Sequence, residues 1–180
     1  MEDKYAKIAN ADLGRLSVDE HKNTEKTPII VVLDNVRSLN NIGSVFRTAD
    51  AFLIEAVYLC GFTATPPHRD IQKTALGATE SVHWEYFETT MDAVQKLRND
   101  DYQIISIEQV KDSVSLENVT VTKPLALIFG NEVKGVAQEV CTASDFCVEI
   151  PQLGTKHSLN ISVCAGMVMW EFFRKIRLSK

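Results

Sequence analysis

Three apolar runs, the first of them rich in β-branched residues, most restrict the folds that this chain can adopt. They are PIIVVLD at 28–34, YQIISI at 102–107 and PLALIF at 124–129. A run without polar alternation suits a strand that is buried on both faces, as in a parallel sheet covered by helices. Shorter runs predict three further strands, at 56–61, 83–87 and 147–150.

Segments with helical spacing separate these strands. After the first strand, Ile42, Val45 and Phe46 begin an apolar stripe that repeats every three or four residues, and Asn40 or Asn41 is the predicted helix cap. Similar spacing predicts three further helices, at 69–76, 89–98 and 161–176. The alternation of strands and helices predicts an α/β fold with a mostly parallel sheet and helices on both faces.

A second face of the first predicted helix carries Asn40, Gly43, Ser44 and Arg47. Glycine in a helix costs about 1 kcal/mol relative to alanine. We therefore expect Gly43 to permit a close backbone approach, either by a ligand or by a neighbouring helix. Arg47 is then either a solvated charge or a phosphate-binding residue.

The length of 180 residues is typical of one domain. We predict an N-terminal arm at 1–27, which is polar and weakly patterned, and one folded domain at 28–180. The arm is either a tail without fixed structure or a segment with one short helix. The acidic start MEDKYAKIAN does not resemble a signal peptide, and no apolar run is long enough to span a bilayer.

Cysteine and charge usage bear on location and partners. The four cysteines, Cys60, Cys141, Cys147 and Cys164, form no CxxC pair, and no histidine stands at zinc-ligand spacing. This usage predicts free thiols in a reducing cytoplasm and no metal site. The net charge of −5 argues against a broad, non-specific nucleic-acid surface but permits a local basic patch.

The glycine-containing loops exclude the common nucleotide-binding motifs. The GNEVKG segment at 130–135 is followed by Val136 and Ala137, whereas a phosphate loop requires Lys and then Ser or Thr. The dinucleotide fingerprint GxGxxG is also missing after the first strand. Three strand-to-helix loops nevertheless combine glycine with polar residues, which predicts a site built from several loops at the carboxyl edge of the sheet.

Taken together, these three loops resemble the three motifs of the SpoU/TrmH family of RNA ribose 2′-O-methyltransferases, within the SPOUT superfamily. The matching residues are Asn41-Ile42-Gly43 with Arg47, then Phe129-Gly130-Asn131-Glu132 with Gly135, then Ile150-Pro151 with Gly154 and Ser158-Leu159-Asn160. Each motif alone is weak, but three in this order are specific. The resemblance covers residues 28–173 and leaves out the arm.

The resemblance implies a deep trefoil knot formed by the C-terminal segment, which is a rare exception among folds. It also implies a homodimer whose active site lies beside the interface, and S-adenosylmethionine bound by the knot loops. By position, the implied cofactor-binding residues are Ile107, Glu108, Phe129, Gly130, Ile150 and Leu159.

Ribose methylation requires a hydroxyl that is aligned with an activated methyl group and helped to lose its proton. Arg47 matches the arginine that is essential in the family. Because a guanidinium almost never deprotonates, our hypothesis is that Arg47 holds the adjacent phosphate and stabilises the developing alkoxide. Asn41, Ser158 and Asn160 would orient the ribose and the third loop, and Glu132 would order the second loop and is a secondary base candidate.

His157 is either a general base or a surface residue. The predicted RNA contacts are Arg47, Lys134 and Lys156, and affinity should fall with salt. Gln152, together with Glu108 and Gln109, looks like family members that modify the guanosine of the tRNA D-loop. We therefore expect tRNA to be favoured over rRNA. The alternatives are an rRNA 2′-O-methyltransferase, a non-catalytic RNA-binding module with the same fold and, in a third class, a plain nucleotide-binding domain.

Overall fold

The computed structural model describes residues 5–179. Residues 1–4 of the predicted arm therefore lie outside the described residues. The rest of the arm is exposed up to Glu20. It contains one short α-helix, α1 (Val18–Asn23), whose N-terminus is capped by reciprocal hydrogen bonds between Ser17 and Glu20. His21 is buried, and its Nε2 lies 3.3 Å from the backbone oxygen of Asp50, so this helix packs on the folded domain.

Seven parallel strands form one sheet, in the order β3-β2-β1-β6-β4-β7-β5. Their bounds are β1 Thr27–Asp34, β2 Ile54–Cys60, β3 His83–Phe87, β4 Gln103–Ile107, β5 Val114–Ser115, β6 Leu125–Phe129 and β7 Phe146–Glu149. The predicted parallel sheet is confirmed. The strand β5 lies within a segment that the sequence predicted only as a polar connection, because two residues are too few to show a pattern.

Six further α-helices follow: α2 Leu39–Ala51, α3 Arg69–Ala75, α4 Ala78–Ser81, α5 Thr90–Asn99, α6 Gln138–Ala143 and α7 Ile161–Phe173. A π-helical turn at Arg174–Leu178 extends α7. The pattern did not predict α6, which buries only Val140 and so shows no apolar repeat. Within residues 5–179, no helix combines the length and apolar character needed to cross a bilayer.

Alternate residues of β1 belong to two separate cores, one on each face of the sheet. Ile29, Val31 and Leu33 pack with residues of α2 and α7. Ile30 and Val32 pack with residues of α5 and α6 on the other face. The sheet is therefore covered on both sides, which explains why the strand sequences are continuously apolar.

The start of α2 corrects the predicted helix cap and decides between the two alternatives for Gly43. Its N-cap is Ser38, whose hydroxyl accepts a hydrogen bond from the amide of Asn41 at 3.3 Å; neither Asn40 nor Asn41 is the cap. A Cβ on Gly43 would lie 2.1 Å from Thr74 Oγ1 and 2.3 Å from the backbone oxygen of Ile71. Gly43 therefore permits the close approach of α3 and is itself covered by that helix.

Candidate active site

The segments that follow β4, β6 and β7 surround one cavity at the carboxyl edge of the sheet. Parallel strands end at the same edge, so loops distant in sequence meet there. The cavity volume is about 530 Å³, which lies in the usual range for small-molecule sites. All six residues that the family resemblance assigns to the cofactor line it: Ile107, Glu108, Phe129, Gly130, Ile150 and Leu159.

Two side chains that follow β4 tie these segments together. Glu108 Oε2 accepts a hydrogen bond from the amide of Val136 at 2.9 Å, and Glu108 Oε1 accepts one from the amide of Gln109 at 2.9 Å. Gln109 Nε2 donates to the backbone oxygen of His157 at 2.8 Å. Glu108 therefore links the segment after β4 to the second loop, which follows β6, and Gln109 links the same segment to the third loop, which follows β7.

Two glycines allow the tight path of the second loop. A Cβ on Gly130 would lie 2.0 Å from the backbone nitrogen of Val136. Gly135 has a φ of +69°, and a Cβ there would lie 2.1 Å from Glu108 Oε2. Because both positions exclude a side chain, the loop closes into a turn in which Asn131 and Gly135 exchange backbone hydrogen bonds of 3.0 and 2.9 Å.

The side chain of Asn131 anchors this turn to the sheet. Its Oδ1 accepts hydrogen bonds from the amides of Val133 at 2.9 Å and Lys134 at 3.1 Å. Its Nδ2 donates to the backbone oxygen of Asn35, directly after β1, at 2.8 Å. The second loop is therefore fixed both internally and to the first loop.

Three of the predicted catalytic side chains form one hydrogen-bonded chain. Asn41 Nδ2 donates to Glu132 Oε1 at 3.2 Å, and Asn160 Nδ2 donates to Asn41 Oδ1 at 3.2 Å. Asn160 Oδ1 also accepts from the amide of Ser162 at 2.9 Å and caps α7. The first residues of α2, the second loop and the start of α7 are thereby held in one arrangement.

The carboxylate of Glu132 sits over the start of α2. It accepts hydrogen bonds from the amides of Arg37 at 3.1 Å and Ser38 at 3.0 Å. Burial raises the pKa of Glu132, but these amides and Asn41 favour the ionised form and bring the net pKa below its ordinary value of 4.5. A carboxylate that is stabilised in this way is a weak base, so the geometry suits an ordering role better than proton abstraction.

Ser158 and His157 line the same cavity and are exposed. The described contacts of His157 include the hydrogen bond from Gln109 to its backbone oxygen. Cys164 also faces the cavity, and burial raises the pKa of its thiol to about 11, which keeps it protonated and chemically inert at neutral pH. The residues available for polar chemistry are thus concentrated on the second and third loops.

Arg47 is not among the residues that line the cavity. Arg47 lies six positions after Asn41, so at about 100° per residue the two side chains leave α2 in directions about 120° apart. Arg47 is exposed, and within residues 5–179 its guanidinium makes no hydrogen bond or ion pair. A single chain therefore brings together Asn41, Glu132, Ser158 and Asn160 but leaves Arg47 apart.

The two other predicted RNA contacts lie near the cavity opening. Lys134 lines the cavity and is exposed, and Lys156 is exposed on the third loop. Three carboxylates, those of Glu108, Glu132 and Glu149, also line the cavity. The interior is thus acidic while cations stand on two of the surrounding loops, an arrangement that favours a cationic group inside and an anionic partner outside.

The sequence pattern did not identify Asp34, a buried residue whose hydrogen bonds join three segments next to the site. Asp34 is 2% exposed; its Oδ1 accepts from Thr90 Oγ1 at 2.6 Å and from Asn35 Nδ2 at 2.9 Å, and its Oδ2 accepts from the amide of Ala137 at 2.9 Å. It joins the ends of β1, the second loop and α5. A carboxylate in the last position of a strand buried on both faces is the signal that could have identified it.

Comparison with known proteins gives a family match over most of the chain. A model of the SpoU rRNA methylase family matches residues 28–170. A protein of Aquifex aeolicus named tRNA (guanosine(18)-2′-O)-methyltransferase is 34% identical over 151 residues, which cover 82% of this chain and 69% of that protein. A protein of Borreliella burgdorferi with the same name is 26% identical over 168 residues, covering 93% of this chain and 76% of that protein.

A solved structure agrees with the fold described above. The S-adenosylmethionine-bound rRNA methyltransferase from Sinorhizobium meliloti superposes with a TM-score of 0.79 at 28% sequence identity. The match covers 92% of this chain and 62% of that one. The chain is therefore shorter than that relative.

Proposed function

Because this chain belongs to the SpoU rRNA methylase family, we propose that it transfers a methyl group from S-adenosylmethionine to a ribose 2′-hydroxyl of RNA. The observation that carries the proposal is the cavity at the carboxyl edge, where all six expected cofactor residues meet the chain of Asn41, Glu132 and Asn160. Sequence motifs spaced over more than 100 residues converge there on one site.

The cavity fits this cofactor in size and charge. Carboxylates of Glu108, Glu132 and Glu149 suit a ligand that carries a sulfonium and an ammonium group. Both Glu108 oxygens already accept hydrogen bonds from backbone amides, so this carboxylate is held in one position. The side chains of Ile107, Phe129 and Leu159 offer apolar contact. When bound, the cofactor supplies an activated methyl group, and Ile107, Glu108, Phe129, Gly130, Ile150 and Leu159 would hold it.

The chain's own residues then have to orient the ribose and manage its proton. Asn41 and Asn160 hold each other, so their positions relative to the cavity are set before RNA binds. Ser158, which is exposed on the cavity wall, is positioned to contact the ribose. Glu132 orders α2 and the second loop by accepting hydrogen bonds from two amides and is therefore not assigned as the base.

Arg47 is assigned to the phosphate beside the reacting ribose. Its exposure and lack of an ion pair within the described residues leave the guanidinium available to an anion. Its position outside the cavity lining agrees with a contact to RNA and not to the cofactor. Together with Lys134 and Lys156 it would supply the salt-dependent part of RNA affinity.

The substrate proposal favours tRNA over rRNA, with a guanosine of the D-loop as the expected position. It is supported by Gln152, Glu108 and Gln109 and by two relatives named tRNA (guanosine(18)-2′-O)-methyltransferase. The Sinorhizobium relative, named an rRNA methyltransferase, keeps rRNA as the alternative. A cytoplasmic location belongs to the same proposal and is supported by four free cysteines.

The proposed assembly is a homodimer of knotted chains. The helix α7 is apolar on its exposed side as well as its buried side, with Val163 53%, Met167 44% and Trp170 46% exposed. This stripe is continuous with the Phe52 ring, whose centroid lies 5.7 Å from that of Trp170. Such a face suits a subunit interface. The expected test is that Trp170→Glu gives monomers by light scattering, whereas wild type gives dimers.

Support for the knot comes from how α7 is held. Lys175, in the turn that extends α7, donates hydrogen bonds to the backbone oxygens of Leu116 at 3.1 Å, Glu117 at 3.0 Å and Val119 at 2.8 Å. The C-terminal segment is thereby attached to the connection between β4 and β6, which is the loop that a knotted chain would pass through.

The function is tested by the transfer of a labelled methyl group from S-adenosylmethionine to tRNA and rRNA in separate reactions. We expect label in tRNA as a 2′-O-methylnucleoside, lost in Arg47→Ala and retained in Arg15→Ala, which removes another exposed arginine. Label only in rRNA would overturn the substrate proposal. Cofactor binding without transfer to either RNA would support the non-catalytic binding module.

A further inference from the structure

Phe62 stands in solvent at the same edge of the sheet as the cavity. It follows β2 directly, and 82% of its surface is exposed. A single exposed apolar residue needs no explanation by itself. Two features distinguish Phe62: its backbone is fixed by several hydrogen bonds, and exposed arginines lie in the neighbouring segments.

The backbone at Phe62 is held from the first loop. Its amide donates to Asn35 Oδ1 at 3.0 Å, and the preceding Gly61 adopts a φ of +61° where a Cβ would lie 2.2 Å from the same oxygen. Asn35 Nδ2 in turn donates to the buried carboxylate of Asp34 at 2.9 Å. The turn therefore has one conformation, and Gly61 cannot be replaced without moving Asn35.

The residue after Phe62 fixes the turn from the other side. Thr63 is 2% exposed, its hydroxyl donates to the backbone oxygen of Leu33 at 3.0 Å, and it accepts from the amide of Val36 at 2.9 Å. From the edge strand, the hydroxyl of Tyr86 donates to the backbone oxygen of Gly61 at 3.2 Å. The exposed ring of Phe62 thus projects from an immobilised backbone, which lowers the entropy that binding would cost.

The same turn is joined to the cavity through one residue. Asn35 accepts the 2.8 Å hydrogen bond from Asn131, and Asn131 lines the cavity. The Phe62 ring therefore lies outside the cavity, on a turn that is linked through Asn35 to a loop lining the cavity. A ligand long enough to extend from the cavity along this edge would reach the ring.

Two exposed arginines lie in the segments next to the Phe62 turn. Arg37 follows Val36, which is bonded to the Phe62 turn, and its side chain is exposed and without an ion pair within residues 5–179. Arg69 is also exposed and begins α3 after the loop that contains Phe62. The acidic Glu88 lies beyond the end of β3, on the opposite side of the turn. An aromatic face beside guanidinium groups fits a nucleotide, which offers a base to the ring and a phosphate to the cation.

We propose that Phe62 is a stacking platform for an unpaired base of the RNA substrate, with Arg37 contacting a nearby phosphate. This inference rests on the proposed function, because it needs an RNA that enters the cavity. A protein partner would have to desolvate both guanidinium groups, whereas RNA pairs with them. Stacking on a ring does not depend on base identity, so Phe62 would position a looped-out nucleotide while the cavity selects the reacting one.

The test compares variants that keep or remove the π face. The probe is a pool of unmodified tRNA transcripts, and the dissociation constant is measured by filter binding at several salt concentrations. We expect Phe62→Leu to weaken binding about 5-fold or more, the loss of one stacked base, and Phe62→Trp to retain the affinity. Arg37→Ala should reduce the slope of log affinity against log salt by about 0.7 to 0.9, and Phe62→Leu should leave that slope unchanged.

Two further measurements separate this inference from the proposed function. S-adenosylmethionine affinity by calorimetry and the mass in solution by light scattering should be the same in wild type and Phe62→Leu. Equal RNA affinity in Phe62→Leu and wild type would overturn the inference while methyl transfer by wild type still supports the function. A monomer from Phe62→Leu would also overturn it, because Phe62 would then be a subunit contact.

Discussion

The buried carboxylate of Asp34 gives the sharpest prediction about how the site is supported. Its two oxygens accept three hydrogen bonds, from Thr90, Asn35 and the amide of Ala137. Asp34→Asn keeps the size but replaces one acceptor with a donor. The least damaging orientation keeps the oxygen toward Thr90 and Asn35 and points the new NH₂ group at the amide of Ala137, which is 2.9 Å from the present oxygen.

The magnitude follows from that orientation. One charge-assisted hydrogen bond is lost, a buried amide is left without a partner, and the two remaining bonds weaken because their acceptor is neutral. Each such loss costs about 1–3 kcal/mol, so we expect the free energy of unfolding to fall by about 2–4 kcal/mol. With an m-value of about 2 kcal/mol per molar urea, the midpoint should drop by about 1–2 M.

The assay is urea unfolding followed by circular dichroism at one fixed protein concentration, because the proposed dimer would add to the apparent stability. Asp112→Asn is the matched control, since Asp112 is exposed and has a φ of +63° that asparagine tolerates. The Asp34 variant should also bind S-adenosylmethionine more weakly, because Ala137 ends the second loop. A midpoint within about 0.3 M of wild type would refute the view that Asp34 supports this loop.

Three further changes test other contacts. Gly43→Ala should cost about 1–3 kcal/mol in urea unfolding, because its Cβ would meet Ile71 and Thr74, whereas Gly154→Ala, with open space around it, should be nearly neutral. Lys175→Met should cost about 1–3 kcal/mol, because three backbone oxygens lose their donor, while Lys22→Met at an exposed position should not. Glu132→Gln should remove part of the pH dependence of stability, because the pKa of Glu132 is lowered in the folded state. The stabilising effect of the Glu132 carboxylate is complete above its ordinary pKa of 4.5. This effect is lost as the pH falls through the lowered pKa of the folded state. Unfolding midpoints measured across that acidic range should decline less steeply in the variant than in wild type, and parallel declines would contradict the assignment.

The position of Arg47 bears on its role in the proposed mechanism. The guanidinium is exposed and lies apart from the cavity lining, whereas Asn41 on the same helix reaches the site network. If Arg47 contacts RNA as proposed, its loss should reduce methyl transfer with little change in cofactor affinity. The lowered pKa of Glu132 points the same way, because neither residue is suited to take the ribose proton.

The local sequence pattern was enough to predict the longer strands and helices and the loops that carry the polar residues of the candidate site. Buried strands such as β1 and β6 were predictable because both faces of a parallel sheet are apolar, and α2 and α7 because a buried helical face repeats every three or four residues. The short elements β5 and α6 were not predictable, since two strand residues or a single buried valine leave no period to detect.

Sequence alone also determined which loops carry the site, since the motifs at Asn41, Glu132 and Asn160 lie at the ends of predicted strands or the starts of predicted helices. It could not determine that Asn41 joins Glu132 and Asn160 while Arg47 does not, because that depends on how α2 is rotated against α3 at Gly43. Hydrogen bonds between residues 91 and 119 positions apart exist only after the sheet has brought the strand ends together. Residue type and spacing set the chemistry available to this protein, and the packing of helices on the sheet decided which of those groups meet.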